Sequence, residues 1–239
     1  MIAFPVSQRF VEGIKSIKFA TRQLILYTET KIPFVQIAAN LKLRVPSLVY
    51  RRVKKMINAS LLRNKEFLNK IDAAPGYYKW WCAKPELDVI LNALGVDLSD
   101  IQQAIERQDD LFCVYVGIAA KESVRARLNW HVNDKHTASR VKNGTLSTLR
   151  QSIASIVAKN QFDKEATDSF IDKLHVEWFC IDSPIKSAEA KAKLYSVERN
   201  LLFDRLRILN IKDNLHPLAE PIKFKLKLLR KNSKLNVKK

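Results

Sequence analysis

The chain has 239 residues, of which 47% are hydrophobic and only five are glycine, so it can bury a core of one or two domains and is no disordered polymer. Forty-two Lys and Arg stand against 24 Asp and Glu, a formal charge of +18, which points to a polyanionic partner, nucleic acid or an anionic membrane surface. No stretch approaches roughly 18 consecutive apolar residues, which excludes a membrane-spanning helix. A basic segment leading into an apolar signal is not expected at the N-terminus, and Cys82, Cys113 and Cys180 form no CxxC pair, which excludes a disulfide framework or a cysteine zinc site and favours a reducing cytoplasm.

The charge is segregated. Residues 1–70 carry 14 basic and 3 acidic side chains, residues 71–220 carry 20 and 21, and residues 221–239 carry 8 and none. A neutral centre between cationic flanks suggests that the flanks hold the polyanion while the centre acts on it. The expected organisation is a basic helical module over 1–70, an α+β domain over 71–220 and a basic tail over 221–239.

In chain order, apolar residues at helical spacing predict a helix over Val6–Tyr27. Ile37, Ala38, Leu41 and Leu43 give a short apolar face, Val45-Pro46-Ser47 interrupts it, and a second helix is expected from Ser47. That helix would turn Val49, Val53 and Met56 inward and Arg51, Arg52, Lys54 and Lys55 outward. The pair resembles a helix-turn-helix, although its turn lacks the usual glycine, and a plain helical hairpin with a solvated basic face is the competing reading. Asp72-Ala73-Ala74-Pro75-Gly76 signals a turn and a domain boundary. Tyr77–Cys82, Leu111–Gly117 and His175–Ile181 read as strands. Helices are expected over residues 87–94, 99–107, 125–132, 145–158 and 187–209. The centre is therefore α+β, a small mixed or antiparallel sheet flanked by helices. Trp80 and Trp81 read as core, and His136, His175 and His216 have no ligand-like spacing. No P-loop, GxGxxG or GxSxG is present.

Five short elements carry the chemistry. They are Gly76-Tyr77-Tyr78 opening PGYYKWWC, Val114-Tyr115-Val116-Gly117, Arg127-Leu128-Asn129-Trp130-His131, Val197-Glu198-Arg199-Asn200-Leu201-Leu202, and Ile208–Pro217 with its Asn210, Asn214 and His216. In this order they resemble the GIY-YIG nuclease family over residues 75–217. The resemblance departs in two respects: a helical insertion over 87–107 lies between the first two elements, as in restriction-type relatives with a similar aromatic opening, and both Arg125 and Arg127 lie near the family's arginine position.

The resemblance implies phosphodiester hydrolysis in double-stranded DNA. It implies catalytic roles for Tyr78, Tyr115, Arg127, His131, Glu198 and Asn210. Glu198 would hold a single Mg²⁺ or Mn²⁺, and Arg127 would fork onto a phosphate. Tyr78, with nearby cations lowering its pKa, would activate the water; Tyr115 would order the pocket, and His131 would relay a proton or bond a phosphate. Arg125 and Asn214 are the alternatives to Arg127 and Asn210. Arg51, Arg52, Lys54, Lys55, Lys225, Lys227, Arg230 and Lys231 are the candidate DNA contacts. The expected function is a metal-dependent, restriction-type, sequence-specific endonuclease. Its rivals are a structure-specific repair nuclease and a non-catalytic DNA-binding regulator on a degenerate nuclease scaffold. A membrane-surface protein is a more distant rival. A homodimer would suit palindromic double-strand cleavage.

Overall fold

A computed structural model describes residues 50–52 and 56–235. The chain divides into two compact units, Met1–Leu48 and Val49–Lys239, and every described residue belongs to the second. The helices expected over 6–27 and 37–43, and the roles expected of Lys54 and Lys55, fall outside the described residues.

Among the described residues six strands form one antiparallel sheet: β1 Tyr50–Arg52, β2 Ile57–Asn58, β3 Gly76–Cys82, β4 Arg107–Gln108, β5 Leu111–Ala119 and β6 His175–Ile181. The order is β1-β6-β3-β5-β4, with β2 also pairing β6. The three apolar runs read as strands are therefore its centre. β3 lies between β5 and β6 and is rich in aromatic side chains, which suit a pleated surface buried on both faces. Opposite Tyr78 stand Gly117 on one side and Trp178 on the other. Trp80 faces Tyr115, so Tyr78 and Tyr115 lie diagonally on one face of the sheet, where side chains of neighbouring strands reach each other.

The helix expected from Ser47 is replaced by β1, which pairs Arg51 with Cys180 and Arg52 with Phe179. Arg51 and Arg52 are thus not on a recognition helix. The aromatic and β-branched composition around them fits a strand, and the outer edge of β6 offers the ladder bonds that a lone basic helix would forgo. Residues 56–70, expected in the N-terminal module, pack into this same unit. The amide of Ala59 donates to Leu174 O at 2.8 Å, and Ala59 and Leu62 are fully buried.

Nine α-helices follow one another: α1 Lys65–Asn69, α2 Lys84–Leu94, α3 Leu98–Ile101, α4 Val124–Asn133, α5 Ala138–Lys142, α6 Thr148–Val157, α7 Lys164–Ile171, α8 Ala188–Asp204 and α9 Ala219–Leu235, counted among the described residues. The insertion between β3 and β5 is α2, the short α3 and then β4; the helix expected over 99–107 stops at Ile101, and Arg107 is already in β4. Leu87, Ile90, Leu91 and Leu94 of α2 are buried, and Gly95 ends the helix in the left-handed conformation that glycine adopts without a Cβ penalty. The insertion leaves the pairing of β3 with β5 intact, apart from an irregularity between Trp80 and Trp81. Both tryptophans are buried: Trp80 in the main core, and Trp81 in a smaller cluster with Cys113, Val116 and Leu202.

The expected basic tail is instead α9. Ile222 and Leu226, one turn apart, are buried against α6 and α2. Burial of two such side chains contributes roughly 3–6 kcal/mol before ordering costs. A tail held by that ridge is part of the fold, although Lys225, Lys227 and Lys231 remain exposed on its outer side.

Candidate active site

The site forms where the sheet runs out. β4 pairs only with Leu111 and Phe112; beyond them Cys113 N–H donates to Glu106 O at 2.9 Å and Leu209 N–H donates to Val114 O at 3.0 Å, but among the described residues no strand covers this outer edge of β5. A side-chain amide substitutes for the missing strand: Val116 N–H donates to Asn210 Oδ1 at 2.9 Å, and Asn210 Nδ2 donates to Val116 O at 2.9 Å. Buried main-chain groups need such partners. With both ends of its amide engaged, Asn210 holds the strand bearing Tyr115 and Gly117. Asn214 sits behind it, donating to Arg207 O at 2.8 Å.

Beside this edge is a cleft of about 400 Å³ lined by Tyr78, Tyr115, Gly117, Arg127, Glu198, Asn210, Asp213 and Arg230 among others. The sequence elements that supply these residues are far apart in the chain, and the sheet edge brings them together. Gly117 is required by close approach, since a Cβ there would overlap the Tyr78 hydroxyl. Tyr115 Oη bonds Thr148 Oγ1, in the first turn of α6, at 2.7 Å.

Arg127 comes from α4, whose N-terminus is capped by the Ser123 hydroxyl accepting from Ala126 N at 3.1 Å. Its guanidinium lies 4.2 Å over the Trp130 ring and donates to Glu122 Oε1 at 3.1 Å. Arg125, the alternative, is turned away and donates to Ile71 O at 2.6 Å. His131, one turn after Arg127, is fully buried behind Tyr78 and bonds its hydroxyl through Nε2 at 2.8 Å. It cannot reach a phosphate, so only the relay role remains open to it.

The electrostatics revise one expectation. Burial raises the Tyr78 hydroxyl well above the usual tyrosine range, reinforced by Tyr115; Arg127 opposes that shift without cancelling it. Tyr78 is therefore a neutral phenol and not a cation-stabilised phenolate, because enclosure in the sheet outweighs the nearby guanidinium. Burial, with the charges of Arg127 and Arg150, pushes His131 well below the usual histidine range. A neutral imidazole accepts from the phenol through Nε2 and carries its own proton on Nδ1, which has no partner among the described residues. Arg150 is fully buried and donates to the carbonyls of His131 and Val132, both at 3.0 Å, and to Asp168, which fixes the end of α4 behind the tyrosine.

These histidines give a sign to the pH dependence of stability. Burial and Arg150 also lower His136, to about 4. Above the ordinary histidine pKa of about 6.5, folded and unfolded chains are both neutral at these sites. Below it the unfolded chain takes up protons that the folded chain refuses, so stability falls with pH, by up to about 1.4 kcal/mol per unit for each such group. Urea midpoints should be lower at about pH 5.5 than at about pH 7.5. Equal midpoints would mean that neither histidine is held neutral in the fold.

Glu198 sits on α8, capped by Ser187 accepting from Ala190 N at 3.0 Å. Burial, then the nearby carboxylate of Asp213, raises its pKa. The half-buried Glu198 carboxylate is an oxygen donor suited to a hard divalent cation that keeps several waters, while Asp213 is exposed and pairs with Lys212. Among the described residues no group of three or more His, Cys, Asp or Glu could enclose a metal ion, so such a cation would rely on Glu198, water and substrate oxygens. Asp213, Thr148 and Arg230 are additions to the site that the motifs do not announce. Asp213 has a positive φ of 56°, but nothing in its sequence context marks it. Arg230 reads from the sequence as one of the tail cations, and the apolar spacing of α9 is the signal that separates it from them.

A protein family described as GIY-YIG catalytic domain matches residues 76–232. No curated protein and no solved structure matches the chain.

Proposed function

Because the chain belongs to the GIY-YIG catalytic-domain family, a family match that supports a nuclease of that type, we propose that it is a metal-dependent endonuclease that cuts double-stranded DNA at a specific sequence, in the manner of a restriction enzyme. The observation that carries this reading is the convergence of Tyr78, Tyr115, Arg127 and Glu198 on one cleft at the edge of the sheet. A non-catalytic regulator would have no need to keep all four together.

The side chains divide the work. Arg127 offers a planar fork to a phosphate oxygen, gaining a partner that competes with Glu122. Tyr78, neutral and bonded to His131, can take a proton from an attacking water as it passes its own to Nε2; since burial, Arg127 and Arg150 hold the resting imidazole neutral, that transfer is a transient one that the negative charge of a bound phosphate would support. No ionised tyrosine is needed at the start. Tyr115, fixed by Thr148, limits where that water can sit, and Asn210 keeps Tyr115 and Gly117 in register. A Mg²⁺ or Mn²⁺ ion at Glu198 would supply charge neutralisation at the phosphate and the leaving oxygen. Exposed Lys225, Lys227 and Lys231 on α9, with the basic residues before residue 56, would supply sequence-independent affinity for the backbone. Cutting both strands of a palindrome would suit a homodimer, and the cytoplasm is the compartment this activity fits.

Incubating the full chain with mixed plasmids and Mg²⁺ or Mn²⁺ tests the proposal. Discrete fragments are the expected result. A smear would remove sequence specificity and keep the nuclease, and intact plasmid in both metals would overturn the catalytic reading.

A further inference from the structure

Arg230 is the guanidinium of the cleft that, among the described residues, has no carboxylate partner, whereas Arg127 has Glu122. The inward ridge of α9 runs Ile222, Leu226, Arg230 at four-residue spacing, the helical period that keeps side chains on one face. Ile222 and Leu226 are buried at 3% and 0% exposure. At the third position, where an apolar residue would continue the ridge, the chain places a guanidinium, and there the helix reaches the cleft beside Tyr115 and Glu198. Lys225, Lys227 and Lys231 are exposed, so the helix carries two separate sets of cations.

The surroundings of Arg230 are neutral. Its Nη2 donates to Gln151 Oε1. The amide of Gln151 is oriented by its own donations, from Nε2 to Leu146 O at 2.6 Å and to Gly144 O at 3.0 Å, so its oxygen is the end presented to Arg230. Among the described residues no carboxylate pairs with Arg230, whereas buried Arg150 and Arg207 have Asp168 and Glu106. Enclosure lowers the Arg230 pKa and the neighbouring Tyr115 works the other way, with no acidic side chain contributing. A half-buried guanidinium without a counter-charge is costly, and the cost is recovered when an anion enters the cleft. One amide contact leaves the rest of the fork free for two parallel bonds, the geometry that matches a phosphate.

We infer that Arg230 is a phosphate-binding residue of the cleft, held by Gln151 to grip a backbone phosphate of the substrate strand, and not one of the surface cations that provide general affinity. The inference rests on the nuclease reading for the identity of the anion as a nucleic-acid phosphate.

The test uses the full chain in EDTA and thymidine 3′,5′-bisphosphate, a probe too small to bridge from the cleft to the outer side of α9. Arg230→Met keeps the stem and removes the fork; its bisphosphate affinity should be at least about tenfold weaker than the parent's. Lys227→Met should bind the bisphosphate like the parent while weakening a long duplex. Arg230→Lys keeps the charge and should recover only part of the loss, and it carries the comparison if Arg230→Met does not fold. In single-turnover plasmid cleavage with Mg²⁺, Arg230→Met should slow cutting by about ten- to a hundredfold. Parental bisphosphate binding by Arg230→Met and Arg230→Lys, or no bisphosphate binding by the parent, would overturn the inference. The two readings fail differently. Plasmid left whole by the parent, with bisphosphate binding that still needs Arg230, removes the nuclease and keeps the phosphate site. Normal cutting and normal bisphosphate binding by Arg230→Met keep the nuclease and remove the site.

Discussion

Glu198→Ala is expected to lower DNA cleavage by at least about two to three orders of magnitude, equivalent to roughly 3–4 kcal/mol of lost transition-state stabilisation. Glu198 is half-buried in the cleft, and burial together with Asp213 raises its pKa. That crowding is unfavourable for the apo protein and favourable once a divalent cation is present. Removing the carboxylate therefore takes away the main protein oxygen donor assigned to the ion while relieving repulsion between Glu198 and Asp213 and toward DNA phosphate. Binding of duplex DNA in EDTA should be retained or tightened, and thermal stability should not fall. Cleavage by Glu198→Ala within a few-fold of the parent, at saturating Mg²⁺, would remove Glu198 from the metal site. Asp213→Asn then becomes the informative companion, because it tests whether the second carboxylate takes over.

Tyr78→Phe should slow cleavage by about two to four orders of magnitude, the usual span for a general acid–base group, and it should also cost stability. The hydroxyl is buried and its partner is the Nε2 atom of fully buried His131 at 2.8 Å. Phenylalanine fills the same space beside Gly117 but leaves that imidazole nitrogen unsatisfied in the core, at about 1–3 kcal/mol. The melting temperature should therefore drop while the near-ultraviolet spectrum and DNA affinity persist. Raising the pH should not restore the rate, because the substituted phenyl ring has no proton to carry. Because Tyr78 is held neutral by burial, the parental rate should not show the alkaline inflection expected of a phenol titrating near neutrality. A parental rate in Tyr78→Phe would assign water activation elsewhere.

The central strands were legible because each is an apolar run long enough to cross a buried sheet: residues 175–181 and 111–117 are recovered within β6 and β5, and Tyr77–Cys82 within β3. The motifs also named Tyr78, Tyr115, Arg127 and Glu198, which line one cleft, since local spelling reflects the local geometry that each strand or helix must present. What escaped the sequence depends on partners distant along the chain. Tyr50–Arg52 could be written on a helix or a strand, and only the free edge of β6 decides for the strand. The lysines of α9 hide the Ile222–Leu226 ridge, because periodicity in a short, charge-rich stretch is weak evidence until α6 and α2 are there to receive it. The direction of the Tyr78 shift is hidden for the same reason: spacing shows that Arg127 is nearby but not that the ring is wholly enclosed. Asn210 was located at the cleft, yet its bonds to Val116 could be known only once β4 was seen to stop short.

The position of α9 has a consequence in time. Proteins emerge N-terminal end first and fold as units when the necessary parts are available. Every residue of the family's motifs, from Tyr78 through Glu198 to Asn210, is translated before the helix that brings Arg230 to the cleft and covers α6 and α2. A growing chain thus spells out the motifs well before it can close the cleft around them. For a protein read as a DNA-cutting enzyme, this ordering acts as a delay: a chain interrupted before residue 219 would lack Arg230 and would leave bare the surface of α6 and α2 that Ile222 and Leu226 cover.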